Sequence, residues 1–145
     1  MRPGDVHGVA VHYTGMNADE QRLHRTCAAR VRAIQRYHME EKGWLDIAYN
    51  HLFCRHGFVF VGRGFGARSA ANGTAESNDQ YFAVCFLGDD SVGRADVTPE
   101  AQRALRQLIR EYRRRYPAAQ EVRPHSDFVA TSCPGDELRA LISAL

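Results

Sequence analysis

Apolar residues follow two different spacings along this chain, and these spacings predict its strands and helices. Short, strand-like apolar runs occupy residues 6–13, 47–54, 58–61 and 81–87. The last of these runs is apolar at nearly every position, which is typical of a strand that is buried on both faces. It is therefore expected inside a sheet, while a short Gly-containing connection joins the second and third runs as a hairpin.

Two longer segments repeat their apolar residues at helical spacing. The first is predicted to begin among the polar residues 17–20 and to run to about Glu41. The second is predicted to begin with Thr98 as its N-cap and a proline in the first turn. Its inner face is formed by Leu105, Leu108, Ile109, Tyr112 and Tyr116. Together with a last helix after Pro134, these segments predict one α/β layered domain over residues 1–145.

A histidine and a cysteine, His125 and Cys133, lie eight positions apart near the end of the chain. Pro134 and Gly135 follow the cysteine and precede a helical pattern, so Cys133 is predicted at or beside the helix N-cap. The positive end of the helix dipole favours a thiolate at that place. A thiolate with a neutral imidazole within reach can act as a metal ligand or as a nucleophile.

A third candidate ligand, His12, ends the first predicted strand, from which a side chain is held rigidly. Two imidazoles and one thiolate leave the fourth position of a tetrahedral zinc ion open, which is the pattern of catalytic zinc sites. The remaining cysteines, Cys27, Cys54 and Cys85, lie in apolar patterns and are predicted to be buried thiols. A Cys54–Cys85 bridge is left open as an alternative.

Composition, charge and hydropathy argue against nucleic-acid binding, secretion through a signal peptide and membrane insertion. The 145 residues carry a formal net charge of +2, which is too small by itself to indicate nucleic-acid binding. The first residues contain no apolar run like that of a secretory signal, and no stretch approaches transmembrane length. We expect a monomer that is made in a cytoplasm, binds no nucleic acid and does not insert into a membrane.

Four segments carry a resemblance to a known family: Val11–Gly15, Gly43–Asn50, Gly57–Gly64 and His125–Gly135. In this order, they resemble the zinc-dependent N-acetylmuramoyl-L-alanine amidases, the group that contains phage endolysin amidases and peptidoglycan recognition proteins. The resemblance implies a mostly parallel, mixed β-sheet flanked by α-helices, with one catalytic zinc in a surface groove. It also implies that His12, His125 and Cys133 hold this zinc.

The same resemblance implies roles for further residues. Tyr49 occupies the position of the family's catalytic tyrosine, where its phenol can donate to an oxyanion, and Thr131 is expected to assist through a hydrogen bond. Asp127 is expected to order the ligand loop, residues 126–132, by bonding backbone amides. The chain departs from the family at Ser126, where an arginine usually follows the second zinc histidine.

The implied substrate is peptidoglycan, which the family cuts between N-acetylmuramic acid and L-alanine. Trp44 is expected to stack on the sugar or the peptide. Arg68 and Asn72 are expected to line the groove, and Arg68 is expected to pair with a stem-peptide carboxylate. With no secretory signal visible, the predicted role is that of a phage-type endolysin that reaches the bacterial cell wall after release from the host cytoplasm.

Two other functions stay open at this point. The first is a peptidoglycan-binding module without catalysis, although such relatives typically lose the zinc cysteine, which this chain retains as Cys133. The second is a metal-free hydrolase with Cys133 as nucleophile and His125 as its base. That second function leaves His12 and Tyr49 unexplained.

Overall fold

The fold consists of a five-stranded sheet with helices, which a computed structural model describes for residues 5–16, 24–88 and 97–145. The strands are β1 (Gly8–Tyr13), β2 (His51–Cys54), β3 (Val59–Val61), β4 (Tyr81–Leu87) and β5 (Glu121–Pro124). The helices are α1 (His24–Glu40), α2 (Ala75–Gln80), α3 (Pro99–Arg115) and α4 (Asp136–Ser143), with a 3-10 turn at His125–Asp127. Within these ranges, no helix combines the length and the apolar character needed to cross a membrane.

The strands form one mixed sheet in the order β3-β2-β4-β1-β5. Neighbouring strands are parallel, except in the β2–β3 hairpin, which is antiparallel. β4 lies in the middle and is buried along its whole length, because its uninterrupted apolar sequence can be covered on both faces. The predicted buried strand, the hairpin and the mostly parallel α/β arrangement are therefore confirmed.

Helices cover both faces of the sheet and create two cores. The larger core, under α3 and α4, contains Val9, Val11, Phe82, Val84, Phe86, Leu105, Tyr112 and Leu138. The smaller core, under α1, contains Cys27, Ile47, Leu52, Cys54, Cys85 and Leu87. Successive residues of a strand point to opposite faces. His12 follows Val11 on β1 and therefore points to the face that α1 covers.

One of the two predicted helix caps is confirmed and the other is wrong. The Thr98 side chain accepts a hydrogen bond from the N–H of Ala101 at 3.1 Å, as expected of an N-cap. The N-cap of α4 is Gly135 rather than Cys133. Gly135 adopts a φ of +94°, which residues with a side chain rarely reach. The helix therefore begins only after it, and Cys133 lies two residues before the cap.

The predicted strand over residues 47–54 begins only at His51. The residues before it bond to the following loop instead of a strand: the carbonyl of Ala48 accepts from the N–H of Ala70, and that of Tyr49 accepts from the N–H of Arg63, both at 2.9 Å. These bonds hold Tyr49 in place in the segment that directly precedes β2.

α2 is a helix that apolar spacing does not predict, because five of its six residues are polar. Its sequence signal is a capping box, in which Thr74 and Ser77 bond each other's backbone N–H groups. The predicted start of the first helix at residues 17–20 lies outside the described residues. The four cysteines are free thiols, which confirms buried thiols and excludes the Cys54–Cys85 bridge.

Candidate active site

His12 and His125 meet because they lie at the same end of two neighbouring parallel strands. His12 is near the end of β1, and His125 directly follows β5, which pairs with β1. Their ring centroids are 4.3 Å apart. The ligand loop then returns to the same place and brings Sγ of Cys133 to 4.0 Å from Nδ1 of His12. One ligand atom from each of the three residues lies within 4.8 Å of the others, so they form one cluster of possible metal ligands.

The tautomer of His12 follows from its contact with Asn72, whose side chain is fully buried. The Asn72 amide nitrogen donates to two backbone carbonyls, of Ser77 at 3.0 Å and of Tyr81 at 2.9 Å. Because carbonyls only accept, these bonds fix the amide and point its oxygen at Nε2 of His12, 2.8 Å away. Nε2 must therefore carry the hydrogen, which leaves the lone pair on Nδ1, the atom that faces Cys133.

Burial controls the protonation of the three clustered residues. Only 2% of His12 is exposed, and burial, helped by the nearby His125, lowers the pKa of its imidazole to about 3. Burial also lowers the pKa of His125. Both rings are therefore neutral near pH 7, as metal ligation requires.

The Cys133 thiol does not follow the prediction made from the helix dipole. Burial raises its pKa to about 11, and the opposing effects of the Tyr13 N–H, 3.3 Å from Sγ, and of the Arg139 charge are smaller. The dipole argument fails because α4 starts farther along the chain and the sulfur is enclosed. The protein itself thus keeps a thiol here, and a bound cation is needed to displace its proton at neutral pH.

The donor set fits zinc. Two imidazoles and one thiol suit a borderline-soft ion and leave one tetrahedral position for water or substrate. His125 adds a further observation, because its Nε2 is buried and has no hydrogen-bond partner in the described part of the chain. Buried polar atoms are nearly always paired, so an unpaired ring nitrogen at this cluster is typical of a functional site.

Tyr49 lies beside the ligand cluster, with its ring centroid 5.5 Å from that of His12. Burial, a hydrogen bond with the Cys85 thiol and the proximity of Cys133 all raise the pKa of its phenol. The phenol is therefore protonated over the whole physiological range and serves as a hydrogen-bond donor rather than as a base.

Thr131 and Trp44 lie where solvent reaches them. Thr131 is exposed, and its hydroxyl accepts the N–H of Cys133 at 3.2 Å, so it shapes the turn that delivers the thiol. Trp44 is 37% exposed, and its ring centroid lies 5.0 Å from that of His38, with the two rings tilted by 51°. The His38 ring in turn lies 6.0 Å from that of Tyr49. An aromatic row therefore runs from the ligand cluster to the surface.

Three predicted residues lie differently from their expected places. Asn72 is enclosed and contacts His12, so it cannot line a groove as predicted. The exposed Arg68 bonds Asp79 at 2.5 Å and the carbonyl of Ala75 at 3.1 Å, which ties it to α2. The exposed Asp127 bonds no backbone amide of the ligand loop. Its carboxylate faces the guanidinium of Arg123 on β5, four residues earlier in the chain, at 3.7 Å.

Sequence reasoning misses the side chains that contact the ligand loop, among them Tyr13, whose hydroxyl lies 3.2 Å from that of Ser132, and Arg139 on α4. Its guanidinium donates to the Ser126 hydroxyl and to the carbonyls of Ser132 and Cys133. The only sequence signal that points to this region is the departure at Ser126.

The fold is that of the peptidoglycan recognition proteins. Drosophila PGRP-LB superimposes with a TM-score of 0.83 and 26% identity, over 97% of this chain and 81% of the other. Peptidoglycan recognition protein LE, solved in complex with tracheal cytotoxin, a monomeric diaminopimelic acid-type peptidoglycan, gives a TM-score of 0.83 at 25% identity and the same coverage.

The family follows from the sequence comparison. The Amidase_2 model, described as N-acetylmuramoyl-L-alanine amidase, matches residues 2–136, and the chain belongs to this family. The human N-acetylmuramoyl-L-alanine amidase is 33% identical over 138 residues, which cover 91% of this chain and 23% of the human protein. Mouse peptidoglycan recognition protein 1 is 32% identical over 127 residues, which cover 82% of this chain and 65% of the mouse protein. The chain thus spans less than two thirds of either relative.

Proposed function

We propose that this chain is a zinc-dependent amidase that hydrolyses the bond between N-acetylmuramic acid and L-alanine in peptidoglycan. The observation that carries the proposal is the convergence of His12, His125 and Cys133 at one end of the sheet. The names of the human and porcine relatives, both N-acetylmuramoyl-L-alanine amidases, support the reaction. The tracheal cytotoxin complex of a structural neighbour supports a peptidoglycan fragment as the ligand.

His12, His125 and Cys133 would hold the zinc, with Nδ1 of His12 as its donor atom. Zinc, when bound, supplies a water of lowered pKa and a Lewis acid for the substrate carbonyl. Tyr49 donates its phenolic hydrogen to the carbonyl oxygen as negative charge develops there, since its raised pKa keeps that hydrogen in place. Thr131, exposed next to the cluster, offers its hydroxyl to the same region.

The aromatic row from Tyr49 through His38 to Trp44 forms the expected contact with the polymer. Trp44 stacks on a sugar or on the stem peptide through its exposed face. Arg68 can reach a stem-peptide carboxylate only by leaving Asp79, so its contribution to binding is reduced by that ion pair.

A peptidoglycan-binding module without catalysis is the second candidate. The mouse, bovine, rat and fly relatives are named as recognition proteins, which favours binding. Both functions would use the surface beside the ligand cluster, but only the amidase needs the metal for turnover. Chelation therefore separates them, because a binding module would retain wall affinity and never release an amine.

Metal content tests the assignment of the ligands directly. The purified protein should contain about one zinc per chain, and Cys133→Ser should lose it while keeping its circular dichroism spectrum. Cys27→Ala is the matched control, because Cys27 is a fully buried thiol on α1 outside the ligand cluster. Stoichiometric zinc in Cys133→Ser would contradict the assignment.

The endolysin role and the monomeric state stay predictions. An endolysin should lyse bacteria from inside only when a membrane-permeabilising protein is co-expressed, and sedimentation should give a single species of 16.3 kDa. Lysis without permeabilisation would contradict release through a separate membrane protein.

A further inference from the structure

Arg139 stands in an unusual place for an arginine. It lies at the end of the first turn of α4, two residues after Glu137, where the helix dipole favours acidic rather than basic side chains. Its neighbours Leu138 and Leu141 on α4 are buried in the core. A half-buried cation at the positive end of a helix therefore needs compensation from other contacts, and these all lie on the segment that carries His125 and Cys133.

The guanidinium of Arg139 joins the two ends of the ligand loop. It donates to the hydroxyl of Ser126, the residue after His125, and to the carbonyl of Ser132 at 3.0 Å and that of Cys133 at 3.2 Å. The Cys133 carbonyl also accepts the N–H of Ser126 at 3.2 Å. Both residues of the predicted ligand pair are thus tied, through their nearest neighbours, to one planar group.

This tie matters because it joins the two ends of the ligand loop, whereas the other side-chain contacts of the loop each hold a single point. These are the contact of the Ser132 hydroxyl with that of Tyr13 at 3.2 Å and that of the Phe128 ring with the Tyr81 ring, whose centroids are 4.8 Å apart. Residues 130–132 are exposed, and an exposed loop opens at low free-energy cost. A guanidinium offers five N–H donors in a rigid fork, so it can satisfy three oxygen acceptors at once, which an ammonium group on a flexible stem does less well. The geometry is therefore specific for arginine and not only for positive charge.

We propose that Arg139 is a positioning residue that sets the separation of His125 and Cys133 and thereby the affinity of the site for zinc. The inference rests on the proposed function only because zinc is taken as the ion. The contacts of Arg139 with Ser126, Ser132 and Cys133, called the clamp below, are present in the chain without any metal. Arg139 acts through the loop, so it governs metal retention and not the chemical step.

The clamp is tested by measuring the zinc affinity of Arg139→Gln and Arg139→Lys. The measurement is competition with a chromophoric chelator. We expect Arg139→Gln to weaken binding by about 10- to 100-fold, the range seen when residues supporting metal ligands are lost. Arg139→Lys should recover only part of that loss, while turnover of the zinc-saturated variants should stay close to that of the parent. Arg110→Gln, at an exposed position on α3, is the control.

Two further measurements test the same contact. In metal-free protein, the amide of Ser126 should exchange its hydrogen faster in Arg139→Gln while core amides are unchanged. Ser126→Ala should weaken zinc binding less than Arg139→Gln, and should add little in the Arg139→Gln background, because both changes break the same contact. This smaller change also serves if Arg139→Gln does not fold.

The outcomes separate this proposal from the proposed function. Zinc affinity of Arg139→Gln within twofold of the parent, or unchanged exchange at Ser126, overturns the clamp and leaves the amidase intact. A parent protein that binds no zinc overturns the proposed function, and the exchange measurement in metal-free protein then decides alone whether Arg139 holds the loop.

Discussion

At the scale of single residues, burial decides the chemistry of this site. It keeps His12 neutral, keeps the phenol of Tyr49 protonated and raises the pKa of the Cys133 thiol to about 11. A neighbouring charge or a helix dipole has a smaller effect than the loss of water around an enclosed group. The site is therefore a neutral cluster whose charge distribution changes when a cation enters.

Zinc binding should release at least one proton per chain at pH 7.5, one from the Cys133 thiol and a further fraction from a zinc-bound water whose pKa falls towards about 7. Both imidazoles are already neutral at that pH, whereas the thiol of Cys133 is protonated and must lose its hydrogen to ligate. The release can be measured with a pH indicator in weakly buffered solution. Cys133→Ala should show no release, and a value near zero in the parent would contradict thiolate ligation.

Asn72→Ala should lower zinc affinity by about 10- to 100-fold, because Nε2 of His12 loses the acceptor that fixes its tautomer. The change also removes one hydrogen bond to each of the carbonyls of Ser77 and Tyr81, which keep the Tyr81 N–H and the Ser69 hydroxyl as donors, and should cost roughly 1 kcal/mol of stability per lost bond. Long-range ¹H–¹⁵N spectra of the unaltered, metal-free protein test the tautomer independently. A hydrogen on Nδ1 of His12 would contradict the assignment.

Tyr49→Phe should keep zinc and the fold yet reduce turnover by about 100- to 1,000-fold, the range for losing one oxyanion donor. The measurement is amine release at saturating wall substrate, with zinc content determined on the same sample. Tyr37→Phe is the control, since Tyr37 is an exposed tyrosine on α1. Unchanged turnover would remove Tyr49 from the mechanism.

At the scale of elements, a buried histidine links the sheet to α3. His51 on β2 bonds the hydroxyl of Tyr112 at 2.6 Å and packs against Phe65, with ring centroids 4.4 Å apart. Burial, with a smaller effect of Arg115, lowers the pKa of His51 to about 4. The folded protein thus holds this ring neutral, whereas the unfolded chain protonates it near pH 6.5.

Stability of the metal-free protein should therefore fall as pH drops from about 6.5 towards 4. Below pH 6.5 the unfolded state binds the extra proton at His51, so acid favours unfolding, and we expect a loss on the order of 2 kcal/mol from this residue. Urea unfolding at pH 7.5 and 4.5 measures it. His51→Gln can still bond Tyr112 but does not titrate, so it should show a smaller loss; an equal loss would exclude His51 as the cause.

Some strands and helices of this fold can be predicted from the sequence, and others cannot. The central strand and α3 are predictable because long apolar patterns and a capping threonine leave few alternatives. α2 is not, because its helix is held by the capping box of Thr74 and Ser77 and not by apolar spacing. The second strand is predicted to begin too early, at residue 47, because a buried residue such as Ile47 need not take part in the hydrogen bonding between strands.

Whether a site residue can be predicted from the sequence depends on whether it lies in a recognisable motif. His12, His125 and Cys133 sit at pattern boundaries and inside matching motifs, so they can be identified from sequence. Asn72 acts through a contact with a residue 60 positions away, and only the folded chain shows that its amide serves His12. Arg139 is missed for the same reason.

At the scale of the whole molecule, the sheet brings the ends of the chain together to make one site. β1 and β5 are neighbours in the sheet although more than 100 residues separate them, so the ligand cluster exists only when the whole fold does. Metal binding should in turn stabilise the fold, since the unfolded chain lacks the assembled site. Function and folding are thus coupled through the same three side chains.

The most direct test of this account is amine release from purified peptidoglycan. The zinc-loaded protein should free L-alanine amino groups from cell walls, lose this activity on chelation and regain it when zinc is restored. Wall binding without amine release at any zinc concentration would contradict the amidase and leave a recognition module. Amine release that survives chelation and stops on thiol alkylation would instead show Cys133 acting as a nucleophile.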